Sequence, residues 1–294
     1  MSVRFSSHVH GQGANQDSAH TGMLAECVYG VVYDGHGKSD CIQHLNTLHE
    51  RDEKGLHSEL ALTILEDPRP AERVFDYAIH CSGGAVMNMV CVRPTHIDNY
   101  NVGDARSWVF TVDEAGHLDL VHESHPHSVS CIRAEERKRL DTLLGGVRFY
   151  TTCNRKITLL DDDTFAIEVG GQAYCDFGRR VRLAATQSLG HEGATGCEPD
   201  AARIMRTAHS RHLCILVSDG VTQVLTRASI AQLYELHRDA LTAEHVVAAA
   251  VKQWEKTWRV IDRGNADRVS WTRFARGDWD DVSAVVMHVR GTQQ

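Results

Sequence analysis

Short strand-like stretches of apolar residues come first along the chain. The first well-marked strand is "ECVYGVVYD", which stops abruptly at Asp34-Gly35-His36-Gly37. A polar helix is predicted from about Lys38 to Glu53, and another over "PAERVFDYAIHC", where Val74, Phe75, Ala78 and Ile79 share one face. "GGAVMNMVCV", "THIDNYNV" and "RSWVFTV" read as successive strands, followed by the turn "DEAG" and the strand "HLDLVH". Connections this short predict an antiparallel meander. "RAEERKRLDTLLGG" is a predicted helix, apolar at Leu140, Leu143 and Leu144 and stopped by Gly145-Gly146.

Strands predicted at "RKITLL", "TFAIEV" and "RLAAT" lead to "RHLCILVSDG", a second apolar run that ends at Asp-Gly, here Asp219-Gly220. Helices over "RASIAQLYELH" and "TAEHVVAAAVKQWEKTW", a polar connection containing tryptophan, and a closing buried strand in "DWDDVSAVVMHV" complete the chain. Many strands, with helices inserted and at the end, predict an α+β architecture of sheet packed on sheet with helices outside. No internal repeat or Pro/Gly-rich linker interrupts residues 1–294, so one domain is expected.

Composition narrows the function classes. Apolar residues make up 42% and charged residues 24%, the proportions of an ordinary globular chain. The net charge of −8 argues against a general nucleic-acid or anionic-membrane surface. The 9 cysteines are scattered singly without a C-x-x-C pair, which predicts reduced, mostly buried thiols and an intracellular chain, cytoplasmic or nuclear. "MSVRFSSHVHGQG" lacks the apolar core of a signal peptide, and no apolar run reaches the ~20 residues of a membrane span. The 19 histidines never fall in an H-E-x-x-H spacing.

The chemistry concentrates where apolar segments meet aspartate. "VVYD" ends at Asp34 and "CILVSD" at Asp219, "DDVSAVV" begins with Asp280 and Asp281, and "NYNVGD" supplies Asp104. Singly, each reads as a turn, since Asp-Gly after a strand is common hairpin chemistry. Together they are harder to explain that way. Strand ends on one side of a sheet converge, and clustered carboxylates repel unless cations neutralise them. Oxygen ligands of this kind suit Mg²⁺ or Mn²⁺ and not zinc.

"NQDS", "VVYDGHG", "NVGDAR", "EERKRLDTLLGG", "LAATQSLGH", "LVSDG" and "DDVSAVV", in this order, resemble the metal-dependent protein phosphatases (PPM, the type-2C Ser/Thr phosphatases). The resemblance runs from about Asn15 to Val289, and its spellings are most similar to the plant and protist branches. It implies a central β-sandwich of two antiparallel sheets with helices on both outer faces, and two Mg²⁺ or Mn²⁺ ions at one edge. It implies that Asp34 bridges the ions, that the Gly35 carbonyl joins one of them, and that Asp219 and Asp280 complete the set. The implied reaction is attack of a metal-activated water on the phosphorus of a protein phosphoserine or phosphothreonine, with His36 giving the leaving oxygen its proton. The implied partner is a phosphoprotein, and a monomer is expected.

Several positions depart from the family pattern. Asp17 matches the acid that closes the family's N-E-D block, while Gln16 stands where many members carry Glu, either a water-mediated contact or a plain strand residue. Gln12 occupies the usual place of a phosphate-gripping arginine, leaving Arg4 or Lys38 as substitutes or as ordinary surface charges. Asp104 matches an acid of a third metal, but its usual companion is replaced by Gln223, so Asp104 is either a ligand or a supporting acid. His191 in "LGH" replaces a further family acid, for which a structural role is expected. Gln12, Gln16 and Gln223 favour an alternative, a weak or inactive family member serving as a binding module. The retained Asp34, His36, Asp219 and Asp280 favour the enzyme. A sandwich whose Asp-Gly pairs are merely turns would leave the ordered blocks unexplained. Specificity is expected to lie in residues 51–70, 154–178 and 259–278, with Trp258, Trp271 and Trp279 read as packing anchors.

Overall fold

The computed structural model describes residues 1–11, 16–24, 27–51, 81–151, 156–161, 164–168, 173–178, 181–196, 198–207, 209–262, 265–276 and 279–291. Gln12 and all but Cys81 of the helix expected over residues 70–81 lie outside them.

Two antiparallel sheets form the centre. One contains β2 (Asp17–Leu24), β3 (Cys27–His36), β4 (Gly84–Val92) and β5 (His96–Val102), with Asp200–Met205 on its edge beyond β5. The other orders β1 (Ser2–His10), Val282–Arg290, Arg211–Val217, β6 (Arg106–Val112) and β7 (Leu118–Glu123). Alternation along β3 explains the layers. Val28 and Val32 join Val90, Leu216, Val285 and Met287 between the sheets. Tyr29, Val31 and Tyr33 point the other way, packing with Cys41, Ile42 and Leu45 of α1 (Asp40–Thr47). Because β4 has both faces covered, all nine of its residues are buried.

On the opposite outer face, the helices Arg227–His237 and Ala243–Glu255 bury Ile230, Tyr234, Val246, Val247, Ala250 and Trp254 against Ile215, Val217 and Ala284. The result is the expected sandwich with helices on both outer faces. All seven described cysteines are free thiols. Among the described residues, no helix is long and apolar enough to cross a membrane.

The structure corrects several expected elements. α1 stops at Thr47, short of Glu53. "RLAAT" contributes only the two-residue strand Arg182–Leu183. The connection expected after residue 258 forms an antiparallel pair, Thr257–Asp262 with Asn265–Arg273. Its Trp258 is fully buried against Phe165, with ring centroids 4.2 Å apart, and Trp279 packs on the same cluster. Trp271 is not an anchor: it is 68% exposed.

One consequence of the packing is pH-dependent. His212, only 3% exposed, has its imidazole pushed down to about 4 by burial and then by the Arg206 charge. The unfolded chain therefore takes up the proton first. Its contribution is intact above about pH 6.5 and fades as pH falls toward 4, by about 1 kcal/mol per unit. The stability advantage of wild type over His212→Gln in urea unfolding shrinks from pH 7 to pH 5. Taking this difference cancels the acid cluster, whose raised carboxyls act in the opposite direction. An advantage that stays constant with pH would contradict this assignment.

Candidate active site

Both sheets deliver aspartates to the same end of the sandwich. β2 begins with Asp17 and β3 ends through Asp34, Gly35 and His36, with Asp17 directly opposite Asp34 in the ladder. In the other sheet, Arg211–Val217 runs into Ser218-Asp219, and Asp280-Asp281 precede the neighbouring strand Val282–Arg290. Asp104 lies in the short turn between β5 and β6. The Asp219 amide points at Asp34 Oδ2 across the sheets, at 3.4 Å. The Trp254 indole, from the buried face of its helix, donates to the Gly220 carbonyl at 3.0 Å and holds the Asp219-Gly220 turn.

Gly35 is required by space. A Cβ there would stand 2.4 Å from Ile42 Cγ1 and 2.5 Å from the Gln16 carbonyl oxygen. That carbonyl instead accepts the Gly35 amide at 3.1 Å. The Gln16 amide donates to Asp281 Oδ2 at 2.8 Å, and its side chain donates to the Gly37 carbonyl at 2.7 Å. Gln16 thus clasps the start of β2 to the DGHG turn and to the last strand.

The carboxylates are crowded beyond what their protein partners offset. Burial, then the charges of Asp219, Asp17, Asp280 and Asp104, hold the Asp34 carboxyl well above the usual range. Burial pushes Asp17 up to about 8, opposed by the Ser218 and Ser283 hydroxyls and reinforced by Asp219 and Asp281. Asp280, at the exposed rim, is pushed up to about 7, first by desolvation in its crowded surroundings and then by Asp219. Asp104 reaches about 6 through burial. Burial also raises Asp219, with Asp104 adding to it.

Asp17 Oδ2 is buried without a partner. Gln223 spans two of the acids, its amide nitrogen donating to Asp219 Oδ2 at 2.9 Å and to Asp280 Oδ2 at 3.1 Å. Among the described residues, no three His, Cys, Asp or Glu side chains stand as a closed ligand set. The residues nevertheless fit a hard divalent cation in chemical type. They are all-oxygen donors, their ionised forms disfavour one another, and one buried oxygen is unpartnered.

His36 lies beside this cluster. Its Nδ1 is 2.9 Å from Nε2 of His191, the two rings within 13° of parallel, while its Nε2 is buried and unpartnered. Burial and then His191 push the His36 imidazole down to about 3.

The structure therefore brings together Asp17, Gln16, Asp34, Gly35, His36, Asp104, Asp219 and Asp280. It does not bring Arg4, whose partner in the β1 ladder is His288, eight residues beyond Asp280. Lys38 stays in the exposed turn after His36. Sequence reasoning missed the contact of His191 with His36.

Comparison with known proteins identifies the family and the fold. A family model described as protein phosphatase 2C matches residues 4–257. The chain belongs to the protein phosphatase 2C family. In fold it is similar to a serine-threonine phosphatase 2C from Toxoplasma gondii, at 12% identity and a TM-score of 0.61, covering 97% of this chain and 94% of that one. It is also similar to a C. elegans sex-determining protein, at 16% identity and a TM-score of 0.59, covering 99% of this chain and 66% of that one. The serine/threonine phosphatase Stp1 from Staphylococcus aureus shares 13% identity at a TM-score of 0.53, covering 99% of this chain and 96% of that one. No curated protein sequence matches. Within the phosphatase 2C fold, the acid cluster of this chain occupies the end where both sheets present their acidic strand termini.

Proposed function

We propose that the chain hydrolyses phosphoserine and phosphothreonine in proteins, in a reaction that depends on Mg²⁺ or Mn²⁺. The observation that carries this reading is the convergence of Asp34, Asp219 and Asp280 from three separate strand ends, with His36 beside them. Asp34, the Gly35 carbonyl, Asp219 and Asp280 would hold two ions. Asp17 and Asp104 lie close enough to support them electrostatically. When bound, such ions acidify a water and offset charge on the phosphoryl group.

The rest falls to the chain itself. Gly35, by its missing side chain, lets the β3 terminus approach Gln16 and α1 closely. Gln223 holds Asp219 and Asp280 in one orientation. His36 gives a proton from Nε2 to the departing serine or threonine oxygen. An isolated alkoxide is a poor leaving group, so this donor matters most for protein substrates.

Phosphate release from a phosphoserine peptide should begin on addition of Mg²⁺ or Mn²⁺ and stop on chelation. Full turnover after chelation would contradict the proposal. The Gln223 amide, already bridging two of the acids, supports the second reading of a binding module. That reading predicts no heat of Mn²⁺ binding at millimolar metal.

A further inference from the structure

His191 stands on a backbone that side-chain-bearing residues avoid. Gly190, His191 and Glu192 have φ of 79°, 52° and 52°. For His191 and Glu192, which carry side chains, such conformations are strained and persist only where the surroundings enforce them, often at functional sites. Here the His191 amide donates to the Gly83 carbonyl at 2.9 Å and the Glu192 amide to the Cys81 carbonyl at 3.0 Å.

β4 also makes room for the pair. A Cβ at Gly84 would stand 2.4 Å from His191 Nε2 and 2.5 Å from His36 Cε1, so the start of the strand has no side chain where the two rings meet. Strained backbone, a missing side chain and a ring-to-ring contact of 2.9 Å all serve one arrangement.

We propose that His191 is a positioning residue for His36, accepting the His36 Nδ1 proton at its own Nε2 and thereby turning the His36 Nε2 edge toward the leaving oxygen of a serine or threonine phosphate. The inference rests on the phosphatase reading above. His191 Nδ1 is buried without a hydrogen-bond partner among the described residues, and its Nε2 faces His36 Nδ1 at 2.9 Å. His36 enters the step as the imidazolium, having taken a second proton from solvent at Nε2; as the bond between phosphorus and the leaving oxygen breaks, its electron pair stays on that oxygen, which takes this Nε2 proton. His36 ends neutral, its Nδ1 proton still directed at His191.

Two amide substitutions separate this role from mere packing. Asparagine tolerates positive φ, but its side chain ends short of His36; glutamine is one methylene longer and reaches. With a phosphoserine peptide, kcat of His191→Asn falls ~10–100-fold at nearly constant KM, while His191→Gln recovers most of it. With p-nitrophenyl phosphate, whose phenolate leaves without a proton, both variants stay within about threefold of wild type. In ¹H–¹⁵N spectra of the metal-free protein, His36 is a single Nδ1-protonated tautomer in wild type and His191→Gln, and a mixture in His191→Asn. Parallel losses on both substrates, no loss on either, or an unchanged His36 tautomer in His191→Asn would overturn the proposal. A wild type that hydrolyses neither substrate with any divalent metal would overturn the phosphatase reading instead, and the tautomer spectra would still judge His191.

Discussion

Asp34→Asn lowers metal-dependent kcat by at least about a thousandfold, equivalent to about 4 kcal/mol of transition-state stabilisation, while leaving the chain folded. The reason lies in the company Asp34 keeps. It lies among Asp17, Asp104, Asp219 and Asp280, all of which raise its pKa and none of which offsets its charge. The amide is the same size as the carboxyl, so β3 and its pairing with β2 persist. In the absence of metal, removing one charge from this cluster relieves repulsion, and Asp34→Asn melts at or above the wild-type temperature. Excess Mn²⁺ then distinguishes the two proteins. Ligand at a hundredfold its Kd stabilises a folded state by about 2.7 kcal/mol. Wild type should show the rise in melting temperature that such a stabilisation produces, and Asp34→Asn little or none. Equal rises, or kcat within tenfold of wild type, would remove Asp34 from the site.

Gly35→Ala is the second large effect, and it reaches both stability and activity. The added carbon would lie 2.5 Å from the Gln16 carbonyl, which is backbone and cannot swing aside, and 2.4 Å from Ile42 Cγ1 in the core beneath α1. Overpacking of this kind costs about 1–3 kcal/mol. It also pushes apart the 3.1 Å bond from the Gly35 amide to Gln16, the link that sets β3 against β2 at the acid cluster. A displacement near 1 Å at such a site costs about a hundredfold in rate. The expected result is a lower urea midpoint together with at least that loss of kcat. Unchanged stability with unchanged kcat would show that the turn has room the structure does not give it.

How much the sequence disclosed follows from where each residue's partners lie. The central strands were legible because β4 and Arg211–Val217 are buried on both faces and read as continuous apolar runs. The outermost strands were not. β1 and Asp200–Met205 each pair on one side only, and their polar sequences match no buried template. The pair formed by Thr257–Asp262 and Asn265–Arg273 read as a connection because, of its first strand, only Trp258 and Val260 are buried. At the site, Asp34, Asp219 and Asp280 announced themselves as acids at the ends of apolar segments. The contacts of Gln223 with Asp280 and of His191 with His36 did not, because each joins residues distant in the chain. His191 meets His36 across 155 positions, and only the unusual spelling "LGH" marked it.

The most direct test of the account measures phosphate release from a phosphoserine peptide by wild type and Asp219→Asn, with Mn²⁺ and after chelation. Asp219 is the point of attachment for the second sheet: its turn is held by Trp254 and its amide faces Asp34. The account predicts turnover by wild type only with metal, and a rate at least about a hundredfold lower for Asp219→Asn. Turnover that survives chelation, or an Asp219→Asn rate equal to wild type, would contradict it.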